Sequence, residues 1–322
     1  MEEGACQRGG TIDLLSGEVI QEIMVHSKMS GKRKIGCVIV TYNPQIDRLS
    51  KVIDSAAKQV TKLVIVDNQS INLDSISRLL GDRDIFLIRL PTNRGIAAAM
   101  NLGVKFLVRQ QVDYILTLDH DTILFENAID EVICSAQRSF EYIDRKVLVI
   151  ADTTDRNSDY ATFKRVDYCI TSGNIIPVDL FDQISYREEL FIDEVDTDFC
   201  YESRTHGYEL WLFNRKLMSH RLGETYDLRS SRLAFLFRGA FALLRREPPQ
   251  FVAFEQTHRV YYMVRNSILL YKEGKISLSC LISHISLVVP TFILLDDRSS
   301  FLRMVFQGVI DAVDNNLGMF EG

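Results

Sequence analysis

The sequence predicts an α/β protein built on a parallel sheet with helices on both of its faces. Short apolar runs, typical of strands that are buried on both faces, alternate with stretches in which apolar residues recur at helical spacing. Alternation at such short intervals indicates βαβ units. Polar clusters also follow the strands, at residues 41–43, 67–70, 92–95 and 119–121. Because the carboxyl ends of parallel strands meet at one edge of a sheet, the four clusters are expected to line one cleft.

The first half of the chain contains the clearest succession of elements. Strands are predicted at 35–40, 63–66, 85–90, 114–118 and 147–150, with helices at 46–60, 74–80, 96–108 and 125–140 between them. Pro44 ends the first strand. Residues 152–165 are polar and turn-rich, and we interpret them as a surface insertion. A further strand is expected at 167–170.

The second half begins with an acidic stretch at 191–200, which is predicted to open a helix that Gly207 ends. Within it Asp193 and Asp196, three residues apart, are expected to share a face, with Asp198 pointing elsewhere. A strand pair at 209–213 and 216–220 and a helix opening at 261–266 are expected to follow.

Two stretches of the C-terminal region bear on membrane contact. Arginines interleave with aromatic and aliphatic residues in 229–246, which fits recognition of an anionic lipid or, equally, arginine packing over apolar surface. Residues 276–295 carry no formal charge and approach the ~20 residues of a membrane span. Four serines and Pro290 within them weaken that interpretation. Three interpretations therefore stay open, namely a helix on the membrane surface, a helix packed against the main domain, and a true membrane span.

Composition excludes several classes of protein. A net charge of -6 and a pI of about 5.6 argue against general nucleic-acid binding. The six cysteines are scattered without a Cys-X-X-Cys pair, so they are expected to be buried thiols in a reducing compartment rather than a disulfide frame or a zinc site. The first thirty residues are interrupted by acidic side chains and lack the apolar core of a signal peptide, so a cytoplasmic location is expected.

Two aspartates follow the strand at 114–118. Asp119 and Asp121 flank His120 just beyond the carboxyl end of this strand, where open α/β sheets bind ligands. Two carboxylates at that place suit a hard divalent cation that carries a diphosphate. The alternative is a polar turn with a helix cap. His120 is expected to point away into packing.

Taken in order, the motifs resemble those of the family 2 inverting glycosyltransferases, and within them the rhamnosyltransferase-like group of bacterial polysaccharide (O-antigen) assembly. The matching stretches are residues 37–43, 65–70, 93–101, 118–121, 172–174, 191–200, 220–223, 261–266 and 308–312. The resemblance implies the GT-A fold of nucleotide-diphospho-sugar transferases, an α/β fold with a Rossmann-like, mostly parallel sheet, followed here by a C-terminal helical region. It divides the chain into an N-terminal extension (1–33), a GT-A catalytic domain (34–227) and a helical, membrane-associating region (228–322).

Residues at the strand tips are candidates for binding a nucleotide-sugar donor. Asp67 can accept hydrogen bonds from the base or ribose, as the resemblance also implies, while the alternative for Asp67 and Asn68 is turn chemistry alone. Arg94 and Gly95 lie where a helix begins, a position that attracts phosphate. The same side is expected to include Thr41, Tyr42 and Asn43 as the floor of the nucleoside pocket, and Asp119 as a partner of the ribose or of a metal-bound water.

The resemblance also implies the metal ligands. The second aspartate of the motif, Asp121, would bind the divalent cation directly, and His220 would lie near the cation and the diphosphate. Mg²⁺ or Mn²⁺ suits such carboxylate and phosphate ligands.

By the same resemblance, Asp196 is the general base that takes the proton of the acceptor hydroxyl. Asp193, Glu194 and Asp198 compete for this role, because Val195 stands where the family more often has an acidic residue. The acceptor side is expected to include Ser172, Gly173, Asn174 and Asp193.

The resemblance implies transfer of L-rhamnose from dTDP-rhamnose, with inversion, onto a surface polysaccharide or a lipid-linked glycan at the cytoplasmic membrane face. A UDP-sugar donor is the alternative within the family. A nucleotidyltransferase would need a glycine-rich basic loop after the first strand, and residues 41–44 do not provide one. A non-catalytic scaffold that binds nucleotide sugar is the third hypothesis.

Overall fold

An eight-stranded sheet of order β3-β2-β1-β4-β8-β6-β9-β7 forms the centre of the computed structural model. The model describes residues 33–151, 162–220, 225–227, 251–253, 257–286, 288 and 298–320. The strands are β1 (Ile35–Thr41), β2 (Lys62–Asp67), β3 (Phe86–Arg89), β4 (Tyr114–Asp119), β5 (Ile123–Leu124), β6 (Lys146–Ala151), β7 (Phe163–Val166), β8 (Asn174–Pro177), β9 (Glu209–Lys216), β10 (Met218–Ser219), β11 (Thr225–Asp227) and β12 (Phe251–Ala253). Strands β5 and β10 form a small antiparallel pair, as do β11 and β12.

The sheet is mostly parallel, with one reversed strand near its middle. Strand β1 pairs in parallel with β2 and β4, β2 with β3, and β6 with β9. Strand β8 runs antiparallel to both β4 and β6, and β7 runs antiparallel to β9 at the edge. The predicted class, a mostly parallel α/β sheet followed by C-terminal helices, is confirmed.

Helices cover both faces of the sheet and bury two apolar clusters, one for each face. Helix α1 contributes the apolar row predicted from its spacing, since Leu49, Val52, Ile53 and Ala56 are all fully buried. The helices are α1 (Ile46–Ala57), α2 (Leu73–Leu80), α3 (Gly95–Arg109), α4 (Ala128–Ser139), α5 (Val195–Thr205), α6 (Thr257–Lys272), α7 (Leu278–Ser286) and α8 (Arg298–Asp314).

Two strand predictions were wrong. Residues 167–170 form no strand, because the chain turns there between β7 and β8 and leaves Tyr168 and Ile170 exposed. Tyr168 and Ile170 line a cleft, and only Cys169 between them is buried in the core. The two strands expected on either side of 214–215 are one strand, β9, with a bulge there, since Phe213 pairs with Ile150 and Lys216 with the next residue, Ala151.

The C-terminal helices lie in the same compact unit as the sheet. In the described part of the chain, no helix is long and apolar enough to cross a bilayer. Of the stretch 276–295, helix α7 and Val288 are described, and the remainder from residue 289 lies outside the described residues. The N-terminal extension up to residue 32, most of the insertion at 152–165 and the basic aromatic stretch 229–246 lie outside them as well.

The strand order brings the predicted polar tips to one edge. Thr41 at the end of β1 is in register with Asp67 at the end of β2, and Val40 is in register with Asp119 at the end of β4. The convergence predicted from the spacing is therefore present, and it opens the candidate site.

Candidate active site

A cleft of about 1060 Å³ opens above the carboxyl ends of the central strands. Its walls come from the strand tips, the loop 168–171, the segment 191–197, His220, the first turns of α6 and His284. Tyr42, Asn43, Asn68, Gly95, Asp119, Asp121, Asp193, Asp196 and His220 are the predicted site residues among its walls.

Asp67 connects two strand tips from within the protein. It is fully buried, and its carboxylate accepts hydrogen bonds from Thr41 Oγ1 at 2.9 Å and from the Ser70 amide at 3.0 Å. Neither Asp67 nor Thr41 lines the cleft, whereas Tyr42 and Asn43 beside them do. The nucleoside-side candidates thus form two layers, with the exposed pair supported by the buried one.

The beginning of α3 is crossed by another part of the chain. The amides of Arg94, Gly95 and Ile96 donate to Asn68 Oδ1, Asn93 Oδ1 and Phe191 O at 2.9, 3.0 and 2.8 Å. Gly95 has a φ of +81°, and a Cβ there would collide with Phe191. The glycine therefore admits a protein backbone, and these three amides already have protein acceptors. The Arg94 side chain is exposed and pairs with Glu188 at 3.2 Å.

Asp119, Asp121 and His220 form a cluster suited to a cation. Their candidate ligand atoms all lie within 4.8 Å of one another. Oδ1 of Asp121 is buried and has no hydrogen-bond partner among the described residues, which is costly for a carboxylate unless a cation lies against it. Burial raises the pKa of Asp119, and the nearby Asp121 carboxylate adds to this effect. Two carboxylates and an imidazole fit Mg²⁺ or Mn²⁺, so the residues fit the implied group.

A buried hydroxyl relay orients His220. Ser172 Oγ accepts from the Asp119 amide at 3.0 Å and donates to Thr122 Oγ1 at 2.8 Å. Thr122 Oγ1 in turn lies 2.6 Å from Nδ1 of His220. The same ring nitrogen lies 3.9 Å from Asp119 Oδ2 and 3.7 Å from Asp121 Oδ1, so the relay holds the imidazole beside both carboxylates. The serine expected on the acceptor side therefore lies behind the metal cluster.

Gly173 and Asn174 also lie behind the cleft rather than along its wall. Gly173 has a φ of +90° and donates its amide to Thr117 O at 2.7 Å, which turns the chain into β8. Asn174 is the first residue of that strand, and its side chain donates to Ile170 O at 2.8 Å. Both residues support the neighbouring wall through backbone geometry. His120, by contrast, was expected to point into packing and instead lines the cleft.

Asp196 is the second residue of α5 and is half-buried in the cleft wall. Its Oδ2 accepts a hydrogen bond from Tyr168 Oη at 2.8 Å, and Oδ1 accepts one from the Thr197 amide at 2.9 Å. Burial raises the pKa of Asp196 to about 6, with the charge of Glu194 acting in the same direction and the Tyr168 hydrogen bond against it. A carboxyl with this pKa is suited to general-base catalysis near neutral pH.

The competing carboxylates all have basic side chains as partners. Asp193 pairs with Arg259, and Glu194 lies 2.6 Å from Nδ1 of His284. The prediction that Asp193 shares a helix face with Asp196 was wrong, because α5 begins only at Val195 and Asp193 has a φ of +60°.

Asp198 is buried away from the cleft. It receives Lys275 Nζ at 2.6 Å, and the same ammonium group lies 2.7 Å from Glu202. Among the acids of this stretch, Asp196 is thus the one that both faces the cleft and has no cationic partner among the described residues.

Sequence reasoning missed several residues of the cleft wall, among them Tyr168, His258 and Arg259. Tyr168 lies in the stretch wrongly predicted as a strand, and nothing in its local pattern indicates its bond to Asp196. Arg259 lies two residues before the recognised stretch 261–266, so a wider motif window would have included it.

A protein-family model and a relative of known activity both match most of the chain. The model of the family described as glycosyl transferase family 2 matches residues 37–248. The dTDP-rhamnosyl transferase RfbF of Shigella flexneri is 25% identical over 307 residues, covering 89% of this chain and 97% of RfbF.

Among solved structures, TarS residues 1–349 of S. aureus align with a TM-score of 0.47 at 12% identity, covering 88% of this chain and 92% of TarS. Its complex with UDP-GlcNAc aligns with a TM-score of 0.48 at 15% identity, covering 87% and 81%. The family model spans well over half of the chain, including the strand tips, the metal cluster and the Asp196 helix. The chain therefore belongs to glycosyl transferase family 2 and is a glycosyltransferase.

Proposed function

We propose that the chain transfers L-rhamnose from dTDP-rhamnose, with inversion, onto a cell-surface polysaccharide or a lipid-linked glycan. One observation carries the mechanism. Asp196, with its pKa raised to about 6, lines the same cleft as the Asp119–Asp121–His220 cluster. The description of RfbF as a dTDP-rhamnosyl transferase supports the choice of donor.

In the proposed reaction an acceptor hydroxyl oxygen attacks the anomeric carbon of the donor from the face opposite the nucleoside diphosphate. A new glycosidic bond forms as the bond to the diphosphate breaks, and Asp196 takes the hydroxyl proton. Tyr168 orients the carboxylate by its hydrogen bond. A divalent cation held by Asp121, His220 and Asp119 would neutralise charge on the departing diphosphate. Tyr42, Asn43 and Asn68 would contact the nucleoside, above Thr41 and Asp67.

A panel of nucleotide sugars tests the donor. Purified full-length protein with Mn²⁺ is incubated with dTDP-rhamnose, UDP-hexoses and UDP-N-acetylhexosamines, and released nucleoside diphosphate is measured with and without glycan acceptor. Turnover of dTDP-rhamnose is expected. Activity only with a UDP-sugar would overturn the rhamnose assignment and keep the mechanism, whereas nucleotide binding without transfer to any native acceptor would indicate a scaffold.

We also propose that the protein associates with a membrane surface through α8. Leu302, Phe306, Val309, Ile310 and Val313 are exposed and recur at helical spacing along this helix. A row of this kind can lie in the interface of a bilayer.

Sedimentation with anionic and neutral vesicles tests the surface assignment. Phe306→Glu is expected to reduce pelleting, since this side chain is 68% exposed and its replacement leaves the core intact. Ile71→Glu is the matched control, because Ile71 is 93% exposed and lies in the turn between β2 and α2, distant from α8 in the chain. Equal pelleting of both variants and the wild type would contradict a role for α8.

A further inference from the structure

Three consecutive polar residues are buried in the middle of α6. Arg265, Asn266 and Ser267 are 1%, 0% and 0% exposed. Successive residues of a helix point in directions about 100° apart, so three in a row cannot all belong to one solvated face. Buried polar side chains require hydrogen-bond partners, and the partners of these three residues indicate what the residues do.

The partners lie almost entirely in one segment, residues 189–194, which we call the base loop because Asp196 follows it. The Asn266 Nδ2 group lies 2.9, 2.8 and 2.9 Å from the carbonyl oxygens of Leu190, Ile192 and Asp193. Arg265 Nη2 donates to the carbonyls of Glu189 and Leu190 at 3.0 and 3.1 Å. Ser267 Oγ donates to Glu194 Oε1 at 2.9 Å.

The orientation of the Asn266 amide is itself fixed. Its Oδ1 accepts a hydrogen bond from Arg265 Nε at 2.9 Å, so its nitrogen must face the base loop. The other end of the Arg265 guanidinium donates to Gly318 O at 2.6 Å, which anchors the pair to the segment after α8. Arg265 and Asn266 thus form one hydrogen-bonded unit, which makes five contacts with carbonyl oxygens of the base loop.

The base loop needs such support. Phe191, Asp193 and Glu194 all have φ between +60° and +66°, and none of them is glycine. A non-glycine residue in this region is strained and persists only where its surroundings fix it. Side chains from α6 supply donors to the carbonyls of the loop, among them those of Leu190, Ile192 and Asp193.

The base loop connects the two sides of the cleft. At one end Phe191 O accepts from the Ile96 amide at 2.8 Å, at the start of α3. At the other end the loop passes directly into α5, where Asp196 is the second residue. The position of the carboxylate relative to the donor side therefore depends on the shape of this loop.

We propose that Asn266, together with Arg265, is a positioning residue that holds Asp196 at its working place through the carbonyls of the base loop. This inference rests on the proposed function, in which Asp196 is the base. Neither side chain needs to contact substrate. A displacement of the base by about 1 Å is enough to reduce the rate by roughly 10²-fold.

The test compares Asn266→Leu with Tyr261→Phe in the full chain. Leucine keeps the approximate size of asparagine and removes both donors. Tyr261 is a buried residue of the same helix whose hydroxyl donates to Asp311 on α8 at 2.6 Å and makes no hydrogen bond to the base loop, whose residues are all described. It also accepts a 3.4 Å bond from Arg265 Nη1, but Tyr261→Phe leaves that nitrogen its shorter bond to Gly318 O at 2.6 Å. Asn266→Leu is expected to lower kcat about 100-fold, with KM for the nucleotide sugar and Kd for the nucleoside diphosphate within about threefold of wild type. Tyr261→Phe is expected to keep kcat within about threefold.

Three outcomes would overturn the proposal, namely near wild-type kcat in a folded Asn266→Leu protein, an equal loss in Tyr261→Phe, or a parallel loss of nucleotide binding. If Asn266→Leu does not fold, Asn266→Asp serves as the second variant, because it preserves the volume of the side chain. It is expected to lose roughly tenfold in kcat through displacement of the base. Unchanged kcat in this variant would count against the positioning role of Asn266.

Amide hydrogen exchange of residues 189–199 separates this inference from the proposed function. Faster exchange in Asn266→Leu than in Tyr261→Phe supports the positioning role of Asn266, and unchanged exchange overturns it. This result does not depend on which nucleotide sugar the protein uses. Failure of the wild-type protein to use any donor of the panel would overturn the proposed function alone.

Discussion

The hydroxyl group of Tyr168 donates a 2.8 Å hydrogen bond to Oδ2 of Asp196, from a loop that precedes the carboxylate by 28 residues. This bond favours the charged carboxylate, whereas burial disfavours it. The balance leaves the pKa at about 6, so the carboxylate is mostly ionised at neutral pH and still able to accept a proton.

Tyr168→Phe is expected to move the acid limb of the kcat/KM profile to higher pH. The wild-type profile should fall as the pH drops through about 6, because protonated Asp196 cannot act as a base. Removing the hydrogen bond raises this pKa, so the variant should lose about 3- to 10-fold at pH 6 and much less at pH 8. A profile measured at saturating Mn²⁺ checks this, and an unshifted limb would show that another group is titrating.

Asp196→Asn is expected to lower kcat about 10²- to 10⁴-fold while nucleoside diphosphate binding by calorimetry stays unchanged. Asp198→Asn is the matched control on the same helix, since Asp198 is buried against Lys275 and does not line the cleft. It should cost stability and retain turnover. The reverse pattern would assign the base to Asp198.

Thr122→Val should weaken Mn²⁺ binding about 10- to 100-fold, because it removes the hydroxyl that orients His220. Thr117→Val is the control, since Thr117 is equally buried and its hydroxyl donates to Thr171 O without contact to the cluster. Metal titration followed by calorimetry measures both. An equal loss of Mn²⁺ affinity in the two variants would show that the hydroxyl relay does not determine metal binding.

Gly95→Ala is expected to lower the free energy of unfolding by about 1–3 kcal/mol more than Gly274→Ala. Both glycines have φ near +75°, so both changes carry the same backbone penalty, but a Cβ at 274 has nothing within 4 Å. The Cβ at 95 meets the backbone of Phe191 in the base loop. Urea unfolding checks the difference, and kcat should fall only in Gly95→Ala.

Local periodicity predicted the elements from β1 to β4 within a few residues, because apolar runs and helical rows there reflect burial on a regular sheet. It failed at 167–170, where apolar side chains face the cleft, and a pattern cannot distinguish a cleft wall from a core. The reversed strand β8 depends on Gly173 and its pairing with β4, which no local window contains.

The candidate site divides in the same way. Asp119, Asp121 and Asp196 carry their chemistry in their own motifs, so the sequence identified them as candidates. Tyr168, Arg259 and Asn266 act through partners that are distant in the chain. For Asn266 a usable signal was present, since three consecutive polar residues interrupt the otherwise apolar and aromatic stretch 260–271.

Lys275 pairs with Asp198 and Glu202 on α5, about eighty positions after the acid that it neutralises. During synthesis, the helix that carries Asp196 emerges from the ribosome well before this ammonium group does. Until then Asp198 has no Lys275 to offset its burial, and the base loop lacks its α6 donors. The strands β1 to β4 can thus form early, whereas the support of the base loop has to wait until α6 and Lys275 have been synthesised.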